Sequence, residues 1–134
     1  MTLLVIDASA AIEFLLKRDA LQRLSAAYPE ADFIAPGHMP LECLNVLKRL
    51  ERAEAIDSAT ASLLANDVME FNVELISVGD IANHVWSRRH TFSIYDSAYV
   101  AVSNIFEAPL VSRDTRLMAA WPNSIDLDLS LIHI

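Results

Sequence analysis

The stretch Leu3-Leu4-Val5-Ile6-Asp7-Ala8-Ser9-Ala10 decides the fold. Its four consecutive apolar residues predict a short strand that is buried on both faces, as in a parallel sheet. Residues 8–17 then repeat Ile12, Leu15 and Leu16 at helical spacing. A buried strand, an acid and a helix in this order predict the first unit of an α/β domain.

The same alternation continues along the chain. Strands are predicted at 3–6, 33–35, 73–78 and 109–111, and helices at 8–17, 19–28, 40–52, 59–71, 79–90, 93–106 and 115–120. Residues 125–130 alternate apolar and polar side chains, which predicts a half-exposed edge strand. Helices between strands predict a three-layer α/β/α domain around a central, mainly parallel sheet of about five strands.

Composition sets limits on this domain. The 134 residues, 54% hydrophobic and 21% charged, predict one compact domain spanning 1–134. The single Cys43 excludes an internal disulfide, and a small core residue is its simplest role. Asp7 interrupts the first apolar run and no later run is long enough to span a bilayer. We therefore expect no signal peptide, no membrane contact and a cytoplasmic location.

Four acids lie at positions flanked by apolar residues. They are Asp7, Glu42, Asp96 and Asp114. A carboxylate in such a place is often half buried, which is costly unless it has a partner. Asp7 and Asp114 follow predicted strands, while Glu42 and Asp96 lie near the starts of predicted helices. Both kinds of position meet at the edge where parallel strands end, so the sequence predicts one cleft containing all four acids.

Three of these acids also fit purely structural roles. Asp7 and Asp114 are favourable residues for capping the helices that follow them. Ser93 and Asp96 match the pattern of a helix capping box. Glu42 is the hardest to explain in this way, because its helix is apolar on both sides of it.

Clustered carboxylates raise one another's pKa values unless a cation neutralises them. Oxygen ligands favour Mg²⁺, with Mn²⁺ as a substitute, over zinc. Such a site indicates chemistry at phosphorus with a metal-activated water. Other phosphate sites are excluded, because Gly37 and Gly79 are the only glycines and Ser9 stands where an Asp-x-Asp phosphatase has its second acid. The four histidines show no paired signature and are expected to be structural or exposed: His38, His84, His90 and His133.

The net charge of −8 argues against nucleic acid as a partner when taken alone. The basic residues, however, lie near the four acids in the sequence: Lys48, Arg49, Arg52, Arg88, Arg89, Arg113 and Arg116. Phosphate contacts are therefore expected from the four arginines nearest the last two acids: Arg113, Arg116, Arg88 and Arg89.

Four segments together resemble the PIN-domain ribonucleases, and in particular the VapC toxins of bacterial type II toxin–antitoxin systems. The segments are Val5-Ile6-Asp7-Ala8-Ser9-Ala10, Pro40-Leu41-Glu42-Cys43-Leu44-Asn45-Val46-Leu47, Tyr95-Asp96-Ser97-Ala98-Tyr99-Val100-Ala101 and Leu110-Val111-Ser112-Arg113-Asp114-Thr115-Arg116-Leu117. Each motif is weak alone, whereas the ordered set is specific.

The resemblance implies a PIN-like fold and a metal-dependent endoribonuclease that cleaves single-stranded or loop RNA. The four acids would hold the metal: Asp7, Glu42, Asp96 and Asp114. Ser9 and Ser112 match hydroxyl positions that support the acids or the metal water, and Asn45 matches a frequent supporting residue. Because Thr115 and Arg116 stand where some members carry a further acid, one Mg²⁺ is expected and a second is open.

The resemblance also implies a homodimer and a small antitoxin whose tail fills the active-site groove. The helix at 59–71 offers such a partner an apolar face, although ordinary core packing explains that face equally well. Two alternatives stay open: a PIN nuclease of RNA processing or decay, and a catalytically silent PIN-like module that binds protein or RNA.

Overall fold

The computed structural model describes residues 2–130, in which five parallel strands form one sheet. The strands are β1 Thr2–Ile6, β2 Ala31–Pro36, β3 Glu74–Ile76, β4 Leu110–Ser112 and β5 Ser124–Asp126. Their order across the sheet is β3-β2-β1-β4-β5, and every neighbouring pair is parallel. The predicted α/β class and parallel sheet are confirmed.

Helices cover both faces of the sheet. They are α1 Ala8–Leu16, α2 Arg18–Ala27, α3 Met39–Arg52, α4 Ser58–Glu70, α5 Val78–Ser87, α6 Ile94–Phe106, α7 Thr115–Ala120 and α8 Leu127–Ser130. Helix α1 packs against α2, α3 and α4, while α6 packs against α5 and crosses β1, β2 and β4. Right-handed crossovers run from β1 to β3 in one direction and from β3 to β4 in the other, so the two groups lie on opposite faces. The result is the expected three-layer arrangement.

The core centres on β1 and α6. Leu4, Val5 and Ile6 have no exposed surface, and every residue of α6 from Ser97 to Ser103 is buried. This middle part of α6 is buried on all sides because it lies between the sheet and α5. Cys43 is fully buried, as expected of a small core residue.

The order of the strands places one crevice at the centre of the sheet. The chain leaves β1 on one side for β2 and β3, and returns on the other side for β4 and β5. The strand order therefore reverses between β1 and β4, where ligands of open α/β sheets bind. The register pairs Ile6 with Val111, and the Asp7 amide donates to the Val111 carbonyl at 3.3 Å. Residues that follow β1 and β4 are thus neighbours.

The predicted edge strand at 125–130 is wrong beyond its first half. Only Ser124–Asp126 pairs with β4, and Leu127–Ser130 forms the short helix α8. The Asp126 side chain accepts a hydrogen bond from the Asp128 amide at 3.0 Å, which favours a turn at this point. Leu127 is buried in this turn. The alternation of apolar and polar residues therefore belongs to a short helix here and not to a strand.

The structure also differs from the prediction at the boundary between β3 and α5. Strand β3 ends at Ile76, and α5 runs from Val78 to Ser87 instead of reaching residue 90. The Ser87 hydroxyl and the Arg88 guanidinium both donate to the His84 carbonyl, which satisfies the last turn and ends the helix. No helix within residues 2–130 is long and apolar enough to cross a bilayer.

Candidate functional site

A cavity of about 420 Å³ opens at the edge of the sheet where the strands end, called here the carboxyl edge. The four acids predicted from the sequence line it: Asp7, Glu42, Asp96 and Asp114. They come from four separate segments, namely the end of β1, helix α3, helix α6 and the loop after β4. The topology thus gathers acids that lie far apart in the sequence.

Asp7 is the most buried of the four, with 5% of its surface exposed. Its Oδ1 accepts hydrogen bonds from the Ser9 hydroxyl at 2.6 Å and the Ala10 amide at 2.9 Å, and its Oδ2 accepts one from the Ser112 hydroxyl. Burial raises the pKa of Asp7, the three hydrogen bonds offset part of that rise, and the charge of Asp114 adds to it. A cation in the cavity would relieve this penalty on the charged carboxylate.

Two serine hydroxyls connect the acids that follow β1 and β4. The Ser112 hydroxyl donates to Asp7 and accepts from the Asp114 amide at 2.9 Å. The Ser9 hydroxyl accepts from the Arg113 amide at 3.0 Å and lies 3.4 Å from the Ser112 hydroxyl. The sequence analysis assigned Ser9 and Ser112 supporting roles, and the structure places both between the acids.

Asp114 caps a helix and also faces the cavity. Its Oδ1 accepts from the amides of Arg116 and Leu117, both at 3.1 Å, at the start of α7. In the described part of the chain, Asp114 Oδ2 accepts no hydrogen bond from the protein. The capping role and a role in the cavity therefore use different oxygens and are compatible.

Asp96 also combines both roles. Its amide donates to the Ser93 hydroxyl at 3.1 Å, so Ser93 caps α6 as the sequence pattern suggested. The Asp96 carboxyl is half buried, which raises its pKa, and the charges of Asp114 and Glu42 raise it further. The Ser93 hydroxyl and the positive charge of Arg116 act in the opposite direction. Three acids of the cavity are thus close enough to influence one another.

Glu42 has a close partner that the sequence analysis missed. Oε1 of Glu42 lies 2.7 Å from Nε2 of His38, which is four residues earlier at the start of α3. The His38 ring stacks on Tyr95 with 5.3 Å between centroids and meets Tyr99 at 5.0 Å. The i, i+4 spacing of His38 and Glu42 was the available signal.

The expectation that the histidines are structural or exposed holds only in part. His84 and His90 are exposed, as expected, and His133 lies outside the described residues. His38 is the exception, because its position beside Glu42 connects it to the candidate site.

Glu13 is a fifth acid of the cavity that the sequence analysis also missed. It lies on α1 with 6% of its surface exposed and contacts Arg113 Nη1 at 2.7 Å and Lys17 Nζ at 2.9 Å. The Arg113 Nε donates to Asp128 at 3.0 Å. Arg113, predicted to contact phosphate, is therefore held by two carboxylates at the rim of the cavity.

The remaining predicted contact residues differ in position. Arg116 is near enough to Asp96 to lower its pKa. Arg88 and Arg89 lie past the end of α5 and away from the cavity lining, where the Arg89 guanidinium covers the Trp86 ring at 4.5 Å.

On α3, the predicted supporting residue Asn45 is exposed and does not line the cavity, whereas Val46 and Arg49 do. The structure therefore brings Arg113 and Arg116 to the acids, but leaves Asn45, Arg88 and Arg89 apart from them.

The donor chemistry of the cavity fits a hard cation. Among the described residues that line it, the potential metal ligands are carboxylates and hydroxyls, without histidine or cysteine. No three His, Cys, Asp or Glu side chains in residues 2–130 are grouped closely enough to hold a metal by themselves. Mg²⁺ needs fewer, because one or two carboxylates usually hold it while water completes its shell. The cavity suits Mg²⁺ or Mn²⁺ on this ground.

Comparison with known sequences decides the family. The family profile described as PIN domain matches residues 4–120. This chain belongs to the PIN-domain family. The resemblance carried by the four motifs is thereby confirmed, and the four acids, together with the two serines between them, fall within the matched region of this PIN domain.

Two curated relatives cover most of the chain. Ribonuclease VapC3 of Mycobacterium tuberculosis is 29% identical over 121 residues, which is 90% of this chain and 88% of the relative. Ribonuclease VapC12 of the same species is 22% identical over 127 residues, or 95% of this chain and 98% of the relative. Both names are those of ribonucleases.

Solved structures share the fold. A protein from Pyrobaculum aerophilum aligns over 98% of this chain and 94% of its own with a TM-score of 0.71 and 23% identity. The sarcin–ricin loop cleaving toxin VapC20 of Mycobacterium tuberculosis aligns over 92% of this chain and 97% of its own, with a TM-score of 0.64 and 17% identity. At these identities the likeness shows that the PIN fold is shared.

Proposed function

We propose that this PIN domain is a Mg²⁺-dependent endoribonuclease and the toxin of a VapBC-type pair. The observation that carries the proposal is the convergence of Asp7, Glu42, Asp96 and Asp114 on one cavity at the carboxyl edge of a PIN fold. The relatives named ribonuclease VapC support RNA as the substrate. The toxin role is suggested by the VapC name that they share with the toxin VapC20.

Asp7, Asp96 and Asp114 would hold the ion, one or two of them directly and the rest through its bound water, with Glu42 completing the site or orienting the attacking water. Mg²⁺, for which Mn²⁺ is a possible substitute, would neutralise charge on the scissile phosphate and activate the water. The protein's own contribution is orientation, because the Ser9 and Ser112 hydroxyls fix both oxygens of the Asp7 carboxylate. A buried, pre-oriented carboxylate needs little rearrangement when it meets the cation.

Basic residues at the rim would hold the RNA backbone. Arg116 is close to Asp96, and Arg49 and Arg113 line the same cavity as the acids. These positive charges offset the repulsion between phosphate and a protein of net charge −8. Arg113 can also turn to phosphate, at the expense of its ion pairs with Glu13 and Asp128.

Replacing Asp96 tests whether the protein cleaves RNA with a metal ion. Asp96→Asn keeps the size of the side chain and leaves the bond from the Asp96 amide to Ser93 in place, but it removes the charge, so cleavage of single-stranded RNA in Mg²⁺ should fall by at least about 100-fold. The control is Asp67→Asn, an exposed acid in the middle of α4 that does not line the cavity. A wild-type rate for Asp96→Asn, or undiminished cleavage by the native protein in excess EDTA, would refute the proposal.

The toxin role has a separate test. Induced expression of the wild type should arrest growth, Asp96→Asn should not, and co-expression of the small neighbouring gene product should restore growth. RNA cleavage without growth arrest would favour a PIN nuclease of RNA processing. A silent binding module would neither cleave RNA nor bind Mn²⁺ in calorimetry.

The proposal also includes a surface on helix α4 for a partner protein. Helix α4 packs Ala61, Leu64 and Val68 into the core, yet Leu63 and Met69 are each 66% exposed. We propose that this outer face contacts the antitoxin or the second subunit of a homodimer. Sedimentation of the chain alone and with the antitoxin would identify which contact Leu63→Ser weakens, and wild-type association in both cases would exclude this surface.

A further inference from the structure

Polar atoms without partners collect around Glu42. In the described part of the chain, four buried side-chain atoms form no hydrogen bond, namely His38 Nε2, Glu42 Oε1, Ser97 Oγ and Tyr99 Oη. A buried polar atom that forms no hydrogen bond is unfavourable, so folded proteins keep few of them. Three of these four atoms belong to side chains that face one another, which indicates a role beyond packing.

His38 and Glu42 are close but not ideally aligned. Their Nε2 and Oε1 atoms lie 2.7 Å apart, while the pair does not meet the geometry of a hydrogen bond. The His38 side chain is 13% exposed and that of Glu42 is 34% exposed, so the carboxylate reaches the cavity with the imidazole behind it. A small rotation of the imidazole would complete the hydrogen bond.

Tyr99 provides a second donor to the same carboxylate. It is 2% exposed, its ring lies 5.0 Å from that of His38, and it lines the same cavity as Glu42. The imidazole N–H and the phenol O–H therefore both face Glu42.

The same group of rings joins two helices of the candidate site. His38 precedes α3, which carries Glu42, whereas Tyr95 and Tyr99 lie on α6 beside Asp96. Because His38 stacks on Tyr95 and meets Tyr99 at a tilt, it joins α3 to α6 as well as facing Glu42. A displacement of His38 would therefore change the positions of two acids, Glu42 and Asp96.

We propose that His38, together with Tyr99, is a positioning residue that orients the Glu42 carboxylate for the divalent cation. This inference rests on the proposed function and gives Glu42 a defined place in it. Groups that hydrogen-bond metal-binding carboxylates typically change metal affinity or activity by about 10–100-fold when removed. Neither residue is expected to touch the cation or the RNA.

Two substitutions separate positioning from ring packing. His38→Phe keeps an aromatic ring between Tyr95 and Tyr99 but removes the N–H donor. His38→Gln keeps a donor near the Nε2 position but removes the ring. If His38 acts only by stacking, His38→Phe should resemble the wild type. If it acts on Glu42, His38→Gln should resemble the wild type instead.

Calorimetric titration of the full chain with Mn²⁺, without RNA, measures the effect directly. We expect His38→Phe to weaken Mn²⁺ binding by about 10–100-fold and His38→Gln to stay within about threefold of the wild type. Glu42→Gln should match His38→Phe, and the double variant should lose no more than either alone, because both act through one carboxylate. Urea unfolding without metal would verify that each variant is folded.

The outcomes separate this inference from the proposed function. Wild-type affinity in His38→Phe, or additive losses in the double variant, would overturn the role of His38 alone. If the wild type bound no Mn²⁺, or Asp96→Asn bound it normally, the proposed metal site would fail and the inference with it. Should His38→Phe not fold, Tyr99→Phe replaces it, with a severalfold loss expected and unchanged affinity overturning the proposal.

Discussion

The two edges of the sheet carry cavities that differ in how their walls are built. The carboxyl edge holds the cavity of about 420 Å³ that five acids line. The amino edge, where β1, β2 and β3 begin, holds a larger one of about 810 Å³ beside the rings of Phe14, Phe33 and Phe71. These rings stack with 5.9 to 6.2 Å between centroids. The larger cavity combines this aromatic wall with charged residues that are exposed, whereas the acids of the smaller one include the buried Asp7 and Glu13.

The comparison separates stability from function. Stacked aromatic pairs contribute about 0.5–1.5 kcal/mol each beyond the burial of their area. At the other edge, burial raises the pKa of Asp7 and of Asp96, and buried polar atoms lack partners. The amino edge therefore stabilises the fold, while the carboxyl edge holds charged groups in an unfavourable environment that a cation would relieve.

The largest effect is expected from Asp7→Asn. It should reduce RNA cleavage by at least about 100-fold, because it removes a buried negative charge from the metal site. The free energy of unfolding without metal should stay equal or rise, since Asn is also a good helix cap and needs no ionisation. Cleavage rates and urea denaturation measure the two effects, and a loss of stability above about 2 kcal/mol would break the contrast between the edges.

Phe71→Ala tests the amino edge. Removing this partly buried ring from the stack should lower the free energy of unfolding by about 2 kcal/mol, somewhat less than for a fully buried phenylalanine. The rate of RNA cleavage per folded molecule should not change. Leu63→Ala, an exposed residue of α4, is the control and should cost less than about 0.5 kcal/mol. A large loss of cleavage in folded Phe71→Ala would show that the edges are coupled.

The pH dependence of stability distinguishes two helix caps. Asp7 and Asp57 both accept a hydrogen bond from a helix amide, but burial raises the pKa of Asp7 whereas the bond from Thr60 lowers that of exposed Asp57. The native state therefore holds the Asp7 proton longer than the unfolded state does. Its contribution to stability falls as pH rises from the ordinary value of 3.8 through the raised pKa. Asp57 has the opposite sign, and contributes stability that is lost as pH falls through its lowered pKa.

Urea unfolding without metal from about pH 2 to about pH 7 measures this difference, because the Asp57 effect lies mostly below its ordinary pKa of 3.8 and the Asp7 effect above that value. Asp7→Asn should remove a decline in stability with rising pH, and Asp57→Asn should remove an increase. The same sign for both variants would contradict the assignment of Asp7 as a carboxyl destabilised by burial.

The smallest effect concerns RNA binding at the rim. In an Asp96→Asn background, Arg116→Ala should reduce the dependence of single-stranded RNA affinity on log salt by about 0.7, as expected for one lost phosphate contact. Arg89→Ala should leave that dependence unchanged, because its guanidinium covers Trp86 away from the cavity. The reverse result would place the RNA path over the end of α5.

The sequence was most informative where the spacing of apolar residues and the positions of the acids predicted the same structure. The apolar run at residues 3–6 predicted the central strand, and the acids after two strands predicted the edge at which they meet. Local pattern failed at residues 127–130, because alternation over so few residues suits either a strand or one helical turn whose cap is Asp126. The boundaries of helices and strands at such turns depend on side-chain hydrogen bonds, which the spacing of apolar residues does not reveal.

Two members of the site depend on long-range contacts. Glu13 looks like an ordinary helix acid whose partner is Lys17, and only the fold brings Arg113 to it from 100 residues away. The i, i+4 spacing of His38 and Glu42 is visible in the sequence, but the contacts of His38 with Tyr95 and Tyr99 require α3 and α6 to meet. Sequence spacing cannot reveal contacts that the topology creates.

The pairing of β1 with β4 has a consequence for synthesis of the protein. Asp7 obtains its hydrogen bond from Ser112, which lies 105 residues further along the chain. At a translation rate of about 5–20 residues per second, that span takes roughly 5–20 seconds to make. Until then β1 lacks one neighbouring strand, and the cavity lacks Asp114. The cavity of the candidate site is therefore incomplete for most of the time that the chain is being synthesised.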